Sequence, residues 1–445
     1  MSKRVRPKEF PLAVLLALIC VSALHAQTPS PTPQIPPISL DEALRLANAQ
    51  ASSFQTASLN ARIAAEDVRQ AQAAFLPKVS APLSYIYTSP ACCLPPGEPR
   101  APSFISADAI GVTSALVNVS GDFDIAGRLR STLARNRALL AAAHAGTEVA
   151  RRALAQGVIE AYYGLALADV ERRAAEQNLA AAVDFENITS LLLSGGEVAS
   201  VDVTRAHLQT LTRRDELEKA RANEEVAAGA LRVLVGYEFS RPINTADLAL
   251  AIPVDAEFRQ FKAEEVTRRP EFIQFDQQLR AAREEIRIAR ADRLPTLSYS
   301  INGGFETDSV KEPRLREHSG VSAAITFSIP IFDWGATRSR ERQAQLRVQL
   351  AENERTIALR GFTQQFYAAR AQVETAVTRI GLARDGVTSA QDNLAASIAR
   401  YRAGEAQIVE VTDAETTLVE QRTALYQAIF DYQTALARLK QATGR

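Results

Sequence analysis

Helical spacing of apolar residues dominates this chain, and it gives way to the alternation of β-strands in two places. After Ser39, a helical period of apolar residues continues to Pro77. Ser39 and Glu42 have the spacing of a capping box, which predicts that the helix begins there. Because proline disfavours helical continuation, the pattern predicts one helix of about 55 Å that ends near Pro77.

Two later segments predict much longer helices. Neither 127–194 nor 337–401 contains a proline, and both are rich in alanine, arginine, glutamate, glutamine and leucine. At 1.5 Å per residue, each helix would extend about 100 Å. A helix of that length cannot wrap around a compact core, so we expect each one to lie along other helices.

Between the helices, apolar and polar residues alternate. The apolar residues that share one face are Val79, Leu83, Tyr85 and Tyr87, then Leu297, Tyr299, Ile301 and Phe305, then Val321, Ala323, Ile325, Phe327, Ile329 and Ile331. Residues 110–119 alternate poorly. The pattern predicts strands at about 77–89, 104–121, 295–306 and 319–332. Their length suits a tilted crossing of an outer membrane, although a half-buried soluble hairpin fits any single strand equally well.

The chain repeats itself. "AAEDVRQAQAAFLPKVS" at 64–80 matches "AREEIRIARADRLPTLS" at 282–298, and "SGGEVASVDVTRAHL" at 194–208 matches "RAGEAQIVEVTDAET" at 402–416. We therefore divide the chain into a first repeat at 39–236, a linker at 237–256 and a second repeat at 257–445. Each repeat predicts the order helix, strand, strand, very long helix and helix.

The N-terminal segment has the pattern of an export signal. Lys3, Arg4, Arg6 and Lys8 precede an apolar run at 11–21 that is too short to span a bilayer, and small residues follow. This pattern predicts a secretory signal peptide at 1–26, and the proline-rich segment 27–38 predicts an extended leader. Outside the signal, Cys92 and Cys93 are the only cysteines, and the sequence leaves open whether they are bonded to each other.

Charge and motifs argue against several classes of protein. Lys+Arg 51 balances Asp+Glu 51, so no bulk charge attracts nucleic acid. No P-loop, GxSxG, HExxH or CxxC motif occurs, and His144, His207 and His318 are too scattered to suggest a ligand cluster. We therefore expect that the protein is not an enzyme and binds no cofactor or metal. We also expect that it cannot supply energy for transport.

Glu410 and Asp413 are the most distinctive pair of charges. They lie three residues apart in a helical segment after Gly404, so both carboxylates point to the same side of the helix. Such a pair could transfer protons in an enzyme, lie on a solvated outer face, or form a charged ring in a pore. The spacing alone does not distinguish these three uses.

The predicted strands also have a consequence for assembly. Four strands cannot close a water-filled barrel, and open sheet edges do not survive in lipid. A membrane β-barrel therefore requires several copies of the chain, and a trimer would supply twelve strands.

At this point the sequence resembles a known family. "SLDEALRLA" at 39–47, "ARADRLP" at 289–295, "FDWGATRSR" at 332–340 and "YRAGEAQIVEVTDAETTL" at 401–418 occur in the order found in TolC-like outer-membrane efflux proteins, the outer membrane factors. The resemblance implies a homotrimer with a twelve-stranded barrel in the outer membrane and a long α-helical tunnel through the periplasm. It also implies the exit duct of a tripartite efflux or type I secretion system.

The resemblance further implies partners, and the residues themselves leave one alternative function open. The partners are outer-membrane lipid, a periplasmic adaptor (membrane fusion) protein and an inner-membrane pump of the RND, ABC or MFS type. A soluble periplasmic coiled-coil adaptor or scaffold would share the signal peptide and the long helices, but it should lack alternating strands of membrane length.

Site residues follow from the same resemblance. Glu410 and Asp413 match the acids that ring the periplasmic constriction in the family, and Tyr401 and Asp202 match positions that tie the gate shut. For Tyr401, packing against the adjoining helix is the alternative to a gating hydrogen bond. The family's pattern is not complete, because Ala406 stands where a basic residue could provide a second tie.

Three further positions complete the predicted sites. Gly196 and Gly404 end helices at the hairpin tips, which in the family also meet the adaptor. Trp334 follows the fourth predicted strand, where it is expected to anchor the chain at the periplasmic edge of the membrane, with simple packing as the alternative.

Overall fold

The computed structural model describes residues 36–50, 52–89, 111–248 and 257–445. The signal peptide, nearly all of the leader, Cys92 and Cys93, the start of the second predicted strand and the end of the linker lie outside these ranges. Residues Pro37–Arg445 form one compact unit. The prediction of a mostly helical chain with strands between the helices is confirmed, and the described strands form a small antiparallel sheet.

Within the described residues, each half contains a helix, strands, a very long helix and a last helix in that order, although the number of short elements differs. The helices are α1 (Leu40–Ala49), α2 (Ser53–Ala73), α3 (Arg128–Ser194), α4 (Ser200–Val235), α5 (Pro270–Ala291), α6 (Arg314–Glu317), α7 (Ala336–Arg402) and α8 (Ile408–Ala442). The strands are β1 (Lys78–Ser80), β2 (Leu83–Tyr87), β3 (Gly111–Phe123), β4 (Thr296–Thr307) and β5 (Ser319–Ser328). Helices α3 and α7 each contain 67 residues, which corresponds to about 100 Å.

The single helix predicted from Ser39 to Pro77 is wrong. Helix α1 ends after 10 residues, and Ser52 caps a new helix by accepting a hydrogen bond from the Gln55 N–H. The capping box is only half formed: Ser39 Oγ accepts from the Glu42 N–H at 3.2 Å, but the Glu42 carboxylate binds Arg45. The serine cap therefore starts a new helix here, although the helical spacing of apolar residues continues across the break.

Prolines shorten the predicted strands. Pro82 separates β1 from β2, although its carbonyl still accepts a hydrogen bond from the Leu116 N–H at 3.1 Å. Strand β5 ends at Ser328, two residues before Pro330, whereas alternation predicted a strand to 332. Proline has no N–H to donate to a sheet, so Ile329 and Ile331 lie beyond the ladder.

The sheet has one apolar and one polar face. Its order is β1–β3–β4–β5 with β2 also paired to β3, and every pairing is antiparallel. Two neighbouring rows of partners cross it, the apolar row Val79, Val119, Ile301 and Ala323 and the polar row Ser80, Asn118, Asn302 and Ser322. Within the polar row, the Asn118 amide donates to Asn302 Oδ1 at 2.6 Å.

The helices beside the sheet continue the order of its strands. Helix α2 packs on α3, α3 on α5 and α5 on α7. Along the chain, each of these helices is joined directly to one strand: α2 to β1, α3 to β3, α5 to β4 and α7 to β5. The order of neighbouring helices is therefore the same as the order of neighbouring strands. Within the described residues, the sheet and this helical layer therefore have the same two free edges. Helix α2 lies with β1 and β2 at one edge, and α7 lies with β5 at the other.

Two apolar cores lie in the helical part. One is formed by α1, α3 and α4 around Val158, Leu231 and Val235, and the other by α3, α7, α8 and short turns at 257–268 around Phe366 and Tyr432. Among the described residues, no helix is long and apolar enough to cross a membrane, and no three His, Cys, Asp or Glu side chains are placed to hold a metal ion.

Candidate functional site at the hairpin tips

Both helical hairpins turn through the same backbone motif. Gly196, between α3 and α4, has φ 78°, and Gly404, between α7 and α8, has φ 75°. Each N–H donates to the carbonyl three residues earlier, at 2.9 and 3.0 Å, and the following residue donates to the carbonyl five residues earlier. This pattern of hydrogen bonds is a Schellman motif, and the left-handed backbone explains why both positions are glycine.

The structure brings the two tips together. An open cleft of about 610 Å³ lies between them, and its walls include Asp202, Arg205, Tyr401, Arg402 and Gly404. Of the predicted site residues, Asp202, Tyr401 and Gly404 line this cleft. Gly196 and Glu410 are each next to a lining residue, whereas Trp334 lies at the opposite end of α7.

An apolar cluster holds the two hairpins together beside the cleft. Phe185 from α3, Ala206 from α4, and Ile408 and Val411 from α8 are all buried in it. Tyr401 from α7 packs against the same cluster, and its ring lies 5.6 Å from that of Phe185. The tips are therefore joined mainly by apolar contact, which is non-directional and tolerates sliding of one hairpin against the other.

Tyr401 and Asp202 do not bind each other within one chain. The Tyr401 hydroxyl is buried and has no hydrogen-bond partner among the described residues, and Asp202 lies 3.7 Å from Arg205 on its own helix. A buried hydroxyl without a partner is unfavourable and favours a structure in which one is supplied. The gate tie stays a prediction, and it would have to form between chains or in another state.

Glu410 and Asp413 lie on one exposed side of the first turns of α8. Their surroundings differ: Glu410 Oε2 lies 2.8 Å from Arg400 Nη1, whereas Asp413 forms no ion pair with any described residue. The position of both carboxylates at the hairpin tip is compatible with a ring at a constriction. That ring stays a prediction, because it requires more than one chain.

Sequence reasoning missed Arg213. Its side chain is only 8% exposed, and Nη2 reaches from α4 to Thr416 Oγ1 on α8 at 3.2 Å, while Nη1 binds Glu216 at 2.8 Å. Burial raises the pKa of the neighbouring Glu415, and the Arg213 guanidinium only partly offsets that rise. In the sequence, "TRRDELEK" looks like an ordinary charged helix surface, so nothing local distinguishes Arg213 from Arg214.

The family can now be assigned. A family model described as outer membrane efflux protein matches residues 43–237 and 264–445, which is most of the chain. The chain belongs to this family. The resemblance found in the sequence is confirmed, and so is the localisation to the outer membrane; the family is one of transport proteins and not of enzymes.

Individual relatives agree with this assignment. TolC of Escherichia coli is 28% identical over 261 residues, a match that covers 56% of this chain and 52% of TolC. The alkaline protease secretion protein AprF of Pseudomonas aeruginosa is 25% identical, with 64% of this chain and 60% of AprF covered. The chain thus matches little more than half the length of these relatives.

A solved structure shows the same fold. The CmeC outer membrane channel of Campylobacter jejuni superposes with a TM-score of 0.80 at 18% identity, over 91% of this chain and 85% of that one. Helices α3 and α7 and the sheet therefore have the fold of this channel.

Trp334 follows the last strand of that sheet. It is 90% exposed, has a left-handed backbone with φ 55°, and packs edge-on against Phe332 at 4.8 Å between ring centroids. Asp333 accepts hydrogen bonds from the N–H groups of Gly335 and Thr337, which fixes the junction with α7. Exposed aromatic rings at the end of a membrane strand fit an interfacial anchor, and that role stays a prediction.

Proposed function

We propose that this protein is a passive, trimeric outer-membrane channel, gated at its periplasmic end, that serves as the exit duct of a tripartite efflux or type I secretion system. The observation that carries the proposal is the shared order of strands and helices, which leaves matching free edges in the sheet and in the helical layer. Closure of both edges at once requires further copies of the same chain.

The free strand edges support closure into a barrel. Strand β5 on one side, and β1 with β2 on the other, have no further partner among the described strands. Unpaired backbone groups are costly in lipid, so each edge needs a strand from a neighbouring copy. Three chains with four strand positions each give a barrel of twelve, within the range of outer-membrane barrels of 8 to about 26 strands.

The free helical edges support the same arrangement. At one edge, α2 exposes Leu59 and Ile63, which are one helical turn apart. At the other edge, α7 exposes Leu346, Leu350 and Ile357. An interface between two different apolar stripes is head-to-tail, and such interfaces generate closed rings when the rotation between copies permits.

The two faces of the sheet fit lipid outside and water inside. Ile325 on the apolar face is 74% exposed, and Val321, Leu83 and Tyr85 are similarly uncovered. The opposite face carries the rows of serine and asparagine described above. An outward apolar face and a polar lumen are what a water-filled barrel requires.

The periplasmic half of the proposal concerns partners. The helices that extend from the sheet are about 100 Å long and end in the glycine tips, where we expect the adaptor protein to dock at Gly196 and Gly404. An inner-membrane pump of the RND, ABC or MFS type would supply the energy. The name of the relative AprF refers to protease secretion, which supports a duct open to large cargo.

The mass of the extracted protein tests the assembly. Membranes from cells that express the full chain are extracted with detergent, and light scattering measures the protein mass of the purified particle. We expect three copies per particle and no release into buffer without detergent. A monomer that is released from membranes by salt alone would contradict the channel and favour a periplasmic scaffold.

A further inference from the structure

The two acids of the proposed ring differ in their partners. Arg400 Nη1 lies 2.8 Å from Glu410 Oε2, and this ion pair joins the last turn of α7 to the first turn of α8 across the hairpin tip. Asp413, one turn further along α8, is exposed and has no ion-pair partner in the described parts of the chain. Only one of the two carboxylates is therefore uncompensated.

The tip motif holds Arg400 in place. The Arg400 carbonyl accepts the Glu405 N–H at 2.9 Å, which is the hydrogen bond of the Schellman motif around Gly404 that spans five residues. Because the backbone of Arg400 is part of the turn, its side chain begins at a fixed distance from the start of α8. The pair with Glu410 follows from the geometry of the hairpin and not only from the flexibility of two long side chains.

The first hairpin lacks this arrangement. In the repeat, Gly404 aligns with Gly196, so Arg400 aligns with Leu192 and Glu410 with Asp202. Leucine cannot pair with an acid, and Asp202 instead lies 3.7 Å from Arg205 on its own helix. In the described parts of the chain, the cross-tip ion pair therefore occurs in the second hairpin and not in the first, and the second hairpin is the one that carries both acids.

We infer that Arg400 sets the charge of the acidic ring by compensating Glu410, so that Asp413 supplies most of the field that attracts cations. The inference rests on the proposed function, because a ring exists only in a trimer. There, six carboxylates would be accompanied by three guanidinium groups. Since the potential at a narrow opening follows the sum of nearby charges, removing the guanidinium groups should make the opening more attractive to cations.

Cation block of single-channel current tests this inference. Wild type, Arg400→Gln, Glu410→Gln and the double variant are inserted into planar lipid bilayers, and hexamminecobalt(III) is titrated on the periplasmic side. We expect Arg400→Gln to bind the blocker about tenfold more tightly and Glu410→Gln about tenfold more weakly. The double variant should return to within about twofold of wild type, because the two substitutions change the ring's charge in opposite directions.

Two control variants separate charge from structure. Arg400→Lys keeps the positive charge and should keep the wild-type block. Arg384→Gln removes the same charge from the same helix about 24 Å away, beyond the screening distance at physiological salt, and should also leave the block unchanged. If the Arg400→Gln channel is blocked as in wild type, the role of Arg400 is overturned, but the proposed channel is not. A wild-type protein that carries no current contradicts the channel itself.

Discussion

At the scale of single residues, Arg213 links the two hairpins directly near their tips. Its guanidinium is buried between α4 and α8 and is bound by one residue of each, Glu216 and Thr416. A buried charge is stable only when it is paired and hydrogen-bonded. If the two helices separated near Arg213, its guanidinium would be exposed to water or left buried without Thr416 as a partner. Separation of the hairpins is the movement that would open a gate at the tips.

Replacement of Arg213 should therefore favour opening. Arg213→Ala removes a charge-assisted hydrogen bond worth about 1.5–3 kcal/mol, which corresponds to roughly a tenfold to hundredfold shift toward the separated state. We expect larger or more frequent open currents from this variant in planar bilayers. Arg214→Ala changes the exposed neighbour and should behave as wild type; currents from Arg213→Ala that equal those of Arg214→Ala would show that Arg213 does not restrain the hairpins.

The sequence predicted some residues of the tips and not others. Gly196 and Gly404 could be recognised because a left-handed turn favours glycine at that position. A single residue is therefore enough to indicate the turn. Arg213 and Arg400 could not be recognised, because their roles depend on partners across a helix pair. For Tyr401, the sequence left packing and a gating hydrogen bond as alternatives; within one chain the side chain packs on Phe185, and the gating hydrogen bond stays a prediction.

At the scale of elements, the sheet shows where alternation predicts well and where it does not. Strands β4 and β5 alternate cleanly, and their apolar and polar residues do face opposite sides in the observed register. Strand β3 alternates poorly because Val112 and Leu116 lie on its polar face, and at Gly121 its apolar face carries no side chain. The Tyr299 ring on the neighbouring strand fills that place, and a Cβ on Gly121 would lie 2.7 Å from the Tyr299 hydroxyl oxygen.

Other limits of prediction at this scale have local causes. The break between α1 and α2 depends on one serine cap, and the end of β5 depends on one proline, so a periodic pattern averaged over many residues overlooks both. The lengths of α3 and α7 could be predicted because the absence of proline is itself a signal over 67 residues.

The two faces of β5 can be tested with neighbouring residues. Ile325→Lys places a charge on the apolar face, at a cost of about 2–4 kcal/mol per chain if the position lies near the middle of the bilayer. Ala324→Lys places the same charge on the polar face, opposite Ser300. We expect fractionated membranes to contain assembled Ala324→Lys protein and little Ile325→Lys protein. Equal assembly of both variants would contradict a lipid-facing role for Ile325.

At the scale of the whole molecule, one chain supplies only part of the wall of the proposed channel. The same order of neighbours runs through the strands and the helices beside them, and it stops at α2 on one side and at α7 on the other. Apolar side chains are exposed along both of these edges and over one face of the sheet. These edges and this face support the proposed assembly, with neighbouring copies on both sides and lipid on the outside, and the acids at the hairpin tips lie at the end remote from the sheet.

The central claim is a membrane channel with an acidic periplasmic gate, and single-channel recording tests it most directly. Purified wild-type protein and the variant with both Glu410→Gln and Asp413→Asn are inserted into planar bilayers, and conductance is measured with and without a trivalent cation on the periplasmic side. We expect small currents from the wild type that the cation blocks, and block at least about tenfold weaker in the variant, since all of the ring's negative charge is gone. A protein that fails to insert, or block of equal strength in both proteins, would contradict the gated channel.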